Sequence, residues 1–181
     1  MGNGKWKSEI TAEKIVNEYS VERLHKIFGM YGEIRNAKTL AEIIIKERHN
    51  KPIKTTADLK SAISSCIRKS KEHKYLAQVF QALRIEVNDE LTALKEMLVQ
   101  APNVLKKGGK IAIISYHSLE DRLVKNFFKK GKFYGEADKD IYGNVNKPFN
   151  PVNKKPIIPS EDEVINNNRA RSAKLRIAVR L

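Results

Sequence analysis

The sequence predicts an α/β protein in which a helical unit, residues 1–73, precedes the back half of an α/β sheet, residues 74–181. Three observations predict it. Apolar residues in the first seventy positions recur at steps of three and four, the period of one helix face. The run Lys110-Ile111-Ala112-Ile113-Ile114-Ser115 follows a Gly108-Gly109 turn and is short and apolar. The terminal segment Ala173–Leu181 alternates apolar and basic residues, the period of a half-buried strand.

Thr11 caps a first helix whose face carries Ile15 and Tyr19, and Ser20 caps a second carrying Leu24, Ile27 and Phe28. Gly29 and Gly32 then punctuate the chain. A longer helix sets Ala37, Leu40, Ala41, Ile44 and Ile45 on one stripe and stops at Asn50-Lys51-Pro52. Thr56 caps the next, with Leu59, Ile63 and Ile67 inward. From Lys74 one long helix is expected, with Ala77, Phe80, Leu83, Val87, Leu91, Leu94 and Leu98 inward and its exit at Pro102. The run 111–114, apolar on both sides, reads as a buried central strand of the kind parallel sheets contain. Leu119, Leu123, Val124, Phe127 and Phe128 restore helical spacing. Lys129–Pro151 reads as an exposed loop, and Pro156-Ile157-Ile158-Pro159 as a very short strand. A sheet with so few strands predicts self-association through an exposed edge, or membership of something larger.

Lysine and arginine total 35 against 21 acids, a formal charge of +14. That excess favours a polyanionic partner, either nucleic acid or an anionic surface, and nucleic acid is the preferred reading. No apolar run reaches the length of a membrane span, so no membrane partner is expected. Cys66 is the single cysteine, which excludes an intramolecular disulfide and a cysteine metal cluster. A reducing, cytoplasmic compartment is the simplest home. No metal cluster, phosphate loop or nucleophile–His–acid set supports a hydrolase or a kinase.

Three stretches carry a resemblance: Phe80-Gln-Ala-Leu-Arg-Ile-Glu-Val-Asn-Asp-Glu-Leu91, Ile114-Ser-Tyr-His-Ser-Leu-Glu-Asp-Arg-Leu-Val-Lys125 and Asn167-Asn-Arg-Ala-Arg-Ser-Ala-Lys-Leu-Arg-Ile-Ala178. In this order they resemble the RsmH family, also called MraW, which methylates the N4 amine of a cytidine in small-subunit ribosomal RNA. The resemblance implies a class I (Rossmann-like) methyltransferase sheet with an inserted all-α substrate-recognition domain. It also implies S-adenosylmethionine as methyl donor of the parent enzyme and ribosomal RNA of the small subunit as partner. Two stretches depart from the family. Its His-Pro-Ala-Thr-Arg stands here as Lys74-Tyr75-Leu76-Ala77-Gln78, and its Asn-Pro-Arg as Asn167-Asn168-Arg169. In the family the donor is held by a Gly-rich turn after the first strand and by acids after later strands, all preceding the segment seen here. Gly2-Asn3-Gly4 has no strand before it and no helix after it, so it does not replace that turn. The expectation is a C-terminal fragment that binds no cofactor and is inactive alone.

A cytosine N4 amine is a poor nucleophile until acceptors at its hydrogens draw it toward tetrahedral geometry. Ser115, His117, Ser118 and Asp121 stand where an open α/β sheet puts its ligands, at the carboxyl end of a strand. The resemblance implies target-base handling for them. The structural alternative is that His117 and Ser118 cap the following helix, Asp121 complements its dipole and Arg122 pairs with an acid. Arg122, Lys125, Arg169, Arg171 and Lys174 are candidate RNA contacts, or else a solvated basic edge. Lys125, Lys129, Lys130 and Lys132 form a basic run beside Phe133 and Tyr134, which are available to stack on bases. Arg84 and Asn88, four apart, read as a structural anchor. Two rivals to the methyltransferase reading stay open: a non-catalytic RNA-binding module, and a helical adaptor for protein partners.

Overall fold

The computed structural model describes residues 10–181, so the reading of Gly2-Asn3-Gly4 lies outside the described residues. The chain divides into two compact units, Met1–Glu90 and Leu91–Leu181.

The regular structure described in the first unit is helical: α1 (Ala12–Glu18), α2 (Val21–Met30), α3 (Ala37–Asn50), α4 (Thr56–Ala62), two short 3-10 turns, and α5 (Glu72–Asn88). Thr11 and Ser20 cap α1 and α2 through their hydroxyls, as the sequence predicts. The fourth cap is Thr55 rather than Thr56. Its hydroxyl accepts from the Asp58 backbone N–H while the Asp58 carboxylate accepts from the Thr55 N–H, a reciprocal capping box. Ile15, Leu24, Phe28, Leu40, Ile44, Ile63 and Val79 are fully buried at the centre. A Cβ on Gly32 would lie 2.8 Å from the Phe28 carbonyl and 3.0 Å from that of Gln78, so only glycine lets α2 and α5 approach this closely.

The second unit comprises α6 (Glu90–Val104, whose first residue closes the first unit), β1 (Lys110–Ser115), α7 (Ser118–Lys130), β2 (Phe149–Pro151), α8 (Glu161–Asn166), a 3-10 turn over Asn168–Ser172, and β3 (Lys174–Arg180). The sheet order is β1-β3-β2 and both pairings are antiparallel, with Ile113 opposite Arg176 and Ser115 opposite Lys174. Its core joins Leu98 and Ala101 of α6, Val124, Phe127 and Phe128 of α7, Phe149 of β2 and Ala178 of β3. Phe127 stacks on Phe133 at 5.0 Å, and Phe128 meets Phe149 at 5.5 Å in a tilted pair. Each such ring burial contributes roughly 1.5–3 kcal/mol, with about 0.5–1.5 kcal/mol more from pair geometry. Gly131, at φ 70°, ends α7; a Cβ there would lie 2.5 Å from the Asn146 carbonyl.

Several expectations are corrected. The single helix from Lys74 is two, because Asp89 turns left-handed at φ 50° between α5 and α6. The buried face of α5 is Val79, Ala82, Leu83 and Ile85; Ala77 and Phe80 are exposed. Phe80 and Val87 instead line an open cavity of about 590 Å³ with Val16, Ile53 and Leu59. α6 runs through Pro102 to Val104. β1 is an antiparallel edge strand, not a central strand covered on both faces. Ile111 and Ile113 lean on the core, while Ala112 and Ile114 are exposed because no described element covers that side. The loop 129–151 contributes core through Phe133 and Phe149. Ile157 makes one isolated bridge to Leu175 instead of a strand. In β3 the alternation is real but its burial is inverted. Arg176 and Ala178 are buried, and Leu175, Ile177 and Val179 are only partly so.

Candidate functional site at the end of the first strand

The register of β1 with β3 sets Ser115 beside Lys174, and α7 starts three residues after Ser115. Ser115, His117, Asp121, Lys174 and the unassigned Arg176 therefore come together around one strand end.

His117 is the N-cap of α7. Its Nδ1 accepts the Glu120 backbone N–H at 3.3 Å, and the Glu120 carboxylate accepts from the N–H groups of Tyr116 at 2.9 Å and His117 at 3.3 Å. An accepting Nδ1 puts the proton of the neutral ring on Nε2, which lies 3.4 Å from the second Glu120 oxygen. The imidazole is thus fixed in tautomer and plane by its own helix start. Ser118 opens the first turn and is exposed. Arg122 is on the exposed side of α7.

Asp121 faces inward. Arg176 Nε donates to its Oδ1 at 2.6 Å and Nη2 to its Oδ2 at 3.1 Å, while Lys174 Nζ stands 3.8 Å away. Both partners are nearly enclosed, Asp121 at 9% and Arg176 at 7% exposure. Burying either charge alone is costly, so the fork-to-carboxylate geometry explains why an arginine takes the inward face of β3. Ser115 is 1% exposed, and its Oγ has no hydrogen-bond partner among the described residues. A buried hydroxyl without a partner costs about 1–3 kcal/mol, which folding alone does not reward.

Arg169 and Arg171 lie in the 3-10 turn just before β3, exposed, with Ala170 between them buried. Lys125 is exposed on α7, one turn beyond Asp121. Arg84 and Asn88 sit in the first unit and converge on one carboxylate: Arg84 Nε lies 3.0 Å, and Asn88 Nδ2 2.9 Å, from Glu90 Oε1. Sequence reasoning left Arg176 and Glu120 without roles. The signal for Glu120 was an acid three residues after a cap. That for Arg176 was a basic residue inside an alternating strand.

Among the described residues no strand leads through a glycine-rich turn into a helix. The step from β1 into α7 runs through Ser115-Tyr116-His117, and its first N–H groups are taken by Glu120.

A family model described as the MraW methylase family matches residues 5–181. The chain belongs to the MraW methylase family. Among curated proteins it is 62% identical over 170 residues to a ribosomal RNA small subunit methyltransferase H of Cytophaga hutchinsonii, covering 94% of this chain and 57% of that protein. It is 56% identical to the protein of the same description in Amoebophilus asiaticus, over 96% of this chain and 56% of the relative. The protein from Parabacteroides distasonis is 54% identical over 93% of this chain and 55% of its own length. This MraW-family chain thus spans a little over half the length of these relatives. No described helix is long and apolar enough to cross a membrane.

Proposed function

We propose that this chain is part of an rRNA methyltransferase that places a methyl group on the N4 amine of a cytidine in small-subunit ribosomal RNA. The observation that carries the reading is the buried, unpartnered Ser115 Oγ at a strand end in a chain of the MraW family. An acceptor held there without a protein partner suits an exocyclic amine hydrogen, whose charge grows as methyl transfer proceeds. The base leaves its stack to reach such an acceptor, so the substrate is single-stranded or locally opened RNA. His117 orients the Tyr116–Ser118 backbone, and Asp121 with Arg176 fixes α7 against the sheet. S-adenosylmethionine is the donor in the parent enzyme, held by residues other than those described, so the chain alone binds none and is inactive. Residues 1–73 act as the substrate-recognition insertion and 74–181 as the back of the methyltransferase sheet. Arg122, Lys125, Arg169, Arg171 and Lys174 meet the RNA backbone, the compartment is the cytoplasm, and the isolated chain self-associates through its open sheet.

The test is methyl transfer by this chain joined to the remaining segment of the Cytophaga hutchinsonii relative, with labelled donor and small-subunit RNA. The expected product is N4-methylcytidine, located by mass spectrometry, with none formed by the chain alone. A fusion that methylates another atom overturns the assignment. RNA binding by an inactive fusion favours the binding-module reading.

A further inference from the structure

We propose that the cleft between α7 and the 150–154 segment is a phosphate-binding site for the RNA backbone, an inference that rests on the RNA reading above. The cleft has a volume of about 530 Å³ and is lined by Lys125 and Lys129 of α7, by Asn150 and Lys154, and by Arg176 over a floor containing Phe128. Lys125 and Lys129 are four apart and stand in one row with Asp121, so each step along the row is about 6 Å. Like charges at this spacing repel one another along the row, a repulsion that a bound anion removes.

Lys51, Lys60, Lys132 and Lys174 each stand within ion-pair distance of a carboxylate. Lys125, Lys129 and Lys154 have no carboxylate partner among the described residues. Asp121, the acid on their own row, is committed to Arg176, whose Nη1 makes no hydrogen bond to a described residue.

The opposite wall is held in place before any ligand arrives. Asn153 accepts the Ile177 N–H at 2.9 Å and donates to the Lys155 carbonyl at 2.6 Å, while the Val152 N–H reaches the Ile177 carbonyl at 2.9 Å. Asn150 uses its amide oxygen on Lys147 at 3.0 Å, which leaves its NH₂ as a donor. Three ammonium groups, a guanidinium edge and an amide donor around a partly apolar cavity match a phosphate, which lysine binds as a point charge. The low polarity of the floor strengthens that attraction. Along α7, Lys125 and Lys129 lie roughly 12 and 18 Å from His117, so an RNA strand with one phosphate here reaches the strand end within a few nucleotides.

The experiment is an amide-resolved NMR titration of the chain with inorganic phosphate and, separately, with a short cytidine-rich RNA. It is paired with salt-dependent RNA binding of the wild type and of the Lys129→Ala/Lys154→Ala variant. Both lysines are exposed, so the variant folds. Both ligands should shift the amides of Asn153, Lys154 and Ile177, and the variant's log–log salt slope should flatten by at least about 0.7, one phosphate. An RNA that binds the variant with the full slope and leaves those amides in place overturns the site while sparing the RNA reading. Shifts with phosphate but not with RNA mean a free-anion site and overturn the backbone assignment. A wild-type chain that binds no RNA at low salt overturns the reading on which the site rests.

Discussion

Arg176 on β3 grips Asp121 on α7 through both ends of its carboxylate, at 2.6 and 3.1 Å, with each residue almost closed to solvent. The pair ties the helix that follows the candidate site to the strand beside it. Removing one partner strands the other charge in a poor dielectric, so Arg176→Ala or Asp121→Ala should each cost about 3–5 kcal/mol. Replacing both with apolar residues of similar volume, Arg176→Met with Asp121→Leu, should recover most of that loss. Urea unfolding of the wild type, Arg176→Met, Asp121→Leu and their combination closes a double-mutant cycle that measures the coupling. Additive losses would show that the pair does not hold the unit together.

Ser115 makes the opposite prediction. Its hydroxyl is buried without a partner, so Ser115→Ala should leave stability unchanged or raise it. In the full-length fusion the same change should lower kcat by about 10²-fold or more if Oγ accepts from the target amine. Urea midpoints and single-turnover methyl transfer separate the two effects. A stabilised variant with wild-type turnover would leave Ser115 with no part in the reaction.

How much of this was legible in the sequence depends on which force decided each element. Caps at Thr11 and Ser20 and the stripe Leu40-Ala41-Ile44 follow local rules, and they stand as read. The break at Asp89 was hidden because Leu83, Val87, Leu91 and Leu94 keep helical spacing across it, and backbone sign leaves no mark in hydropathy. The inward face of β3 was misjudged for a different reason. Arginine counts as outward until its partner is known, and Asp121 lies fifty-five residues away in the chain. That Ser115 ends a strand and His117 and Asp121 open the helix after it was readable. The orphaned Ser115 hydroxyl was not, because a missing partner is a property of three-dimensional packing.

The alkaline limb of stability should come from two tyrosines in the first unit. Burial, reinforced by the hydrogen bond to Glu86, raises the Tyr19 phenol to about 12; burial also raises that of Tyr75 to about 12. A raised folded-state value means the folded chain holds these protons more tightly than the unfolded chain, whose value is near 10. Their contribution is therefore complete below pH 10 and is lost as pH rises from about 10 to 12. Ultraviolet titration should show Tyr19 and Tyr75 ionising near pH 12, coincident with loss of helical circular dichroism. Tyr19→Phe should remove its share of that pH dependence. If Tyr19 and Tyr75 titrate near the ordinary value with the fold intact, the burial argument fails.

Arg169 and Arg171 are exposed in the 3-10 turn before β3, with Ala170 buried between them. If both meet phosphate, their joint replacement by alanine should flatten the salt slope of single-stranded RNA binding by about 1.4, ~0.7 per contact. His117→Ala should leave the slope alone and instead cost about 1 kcal/mol through loss of the α7 cap. Filter binding across salt decides, and a double arginine variant with the wild-type slope would reduce this edge to solvated surface.

The open sheet face carries the last prediction. β1 is an edge strand, with Ala112 exposed and Ile114 56% exposed, and Leu175, Ile177 and Val179 share that face half-covered. An uncovered apolar face beside unpaired strand N–H and C=O groups is the usual template for edge-to-edge association. The isolated chain should therefore sediment as dimers or larger species at micromolar concentration and bind an apolar-surface dye. Ile114→Lys puts a charge on that face without touching the Phe128–Phe149 core on the other side, so it should restore a monomer while leaving the unfolding midpoint nearly unchanged. Sedimentation velocity on the two proteins at matched concentration makes the comparison. A wild-type chain that is monomeric and dye-silent would mean that the exposed isoleucine is tolerated as ordinary surface, and the self-association proposal would fall.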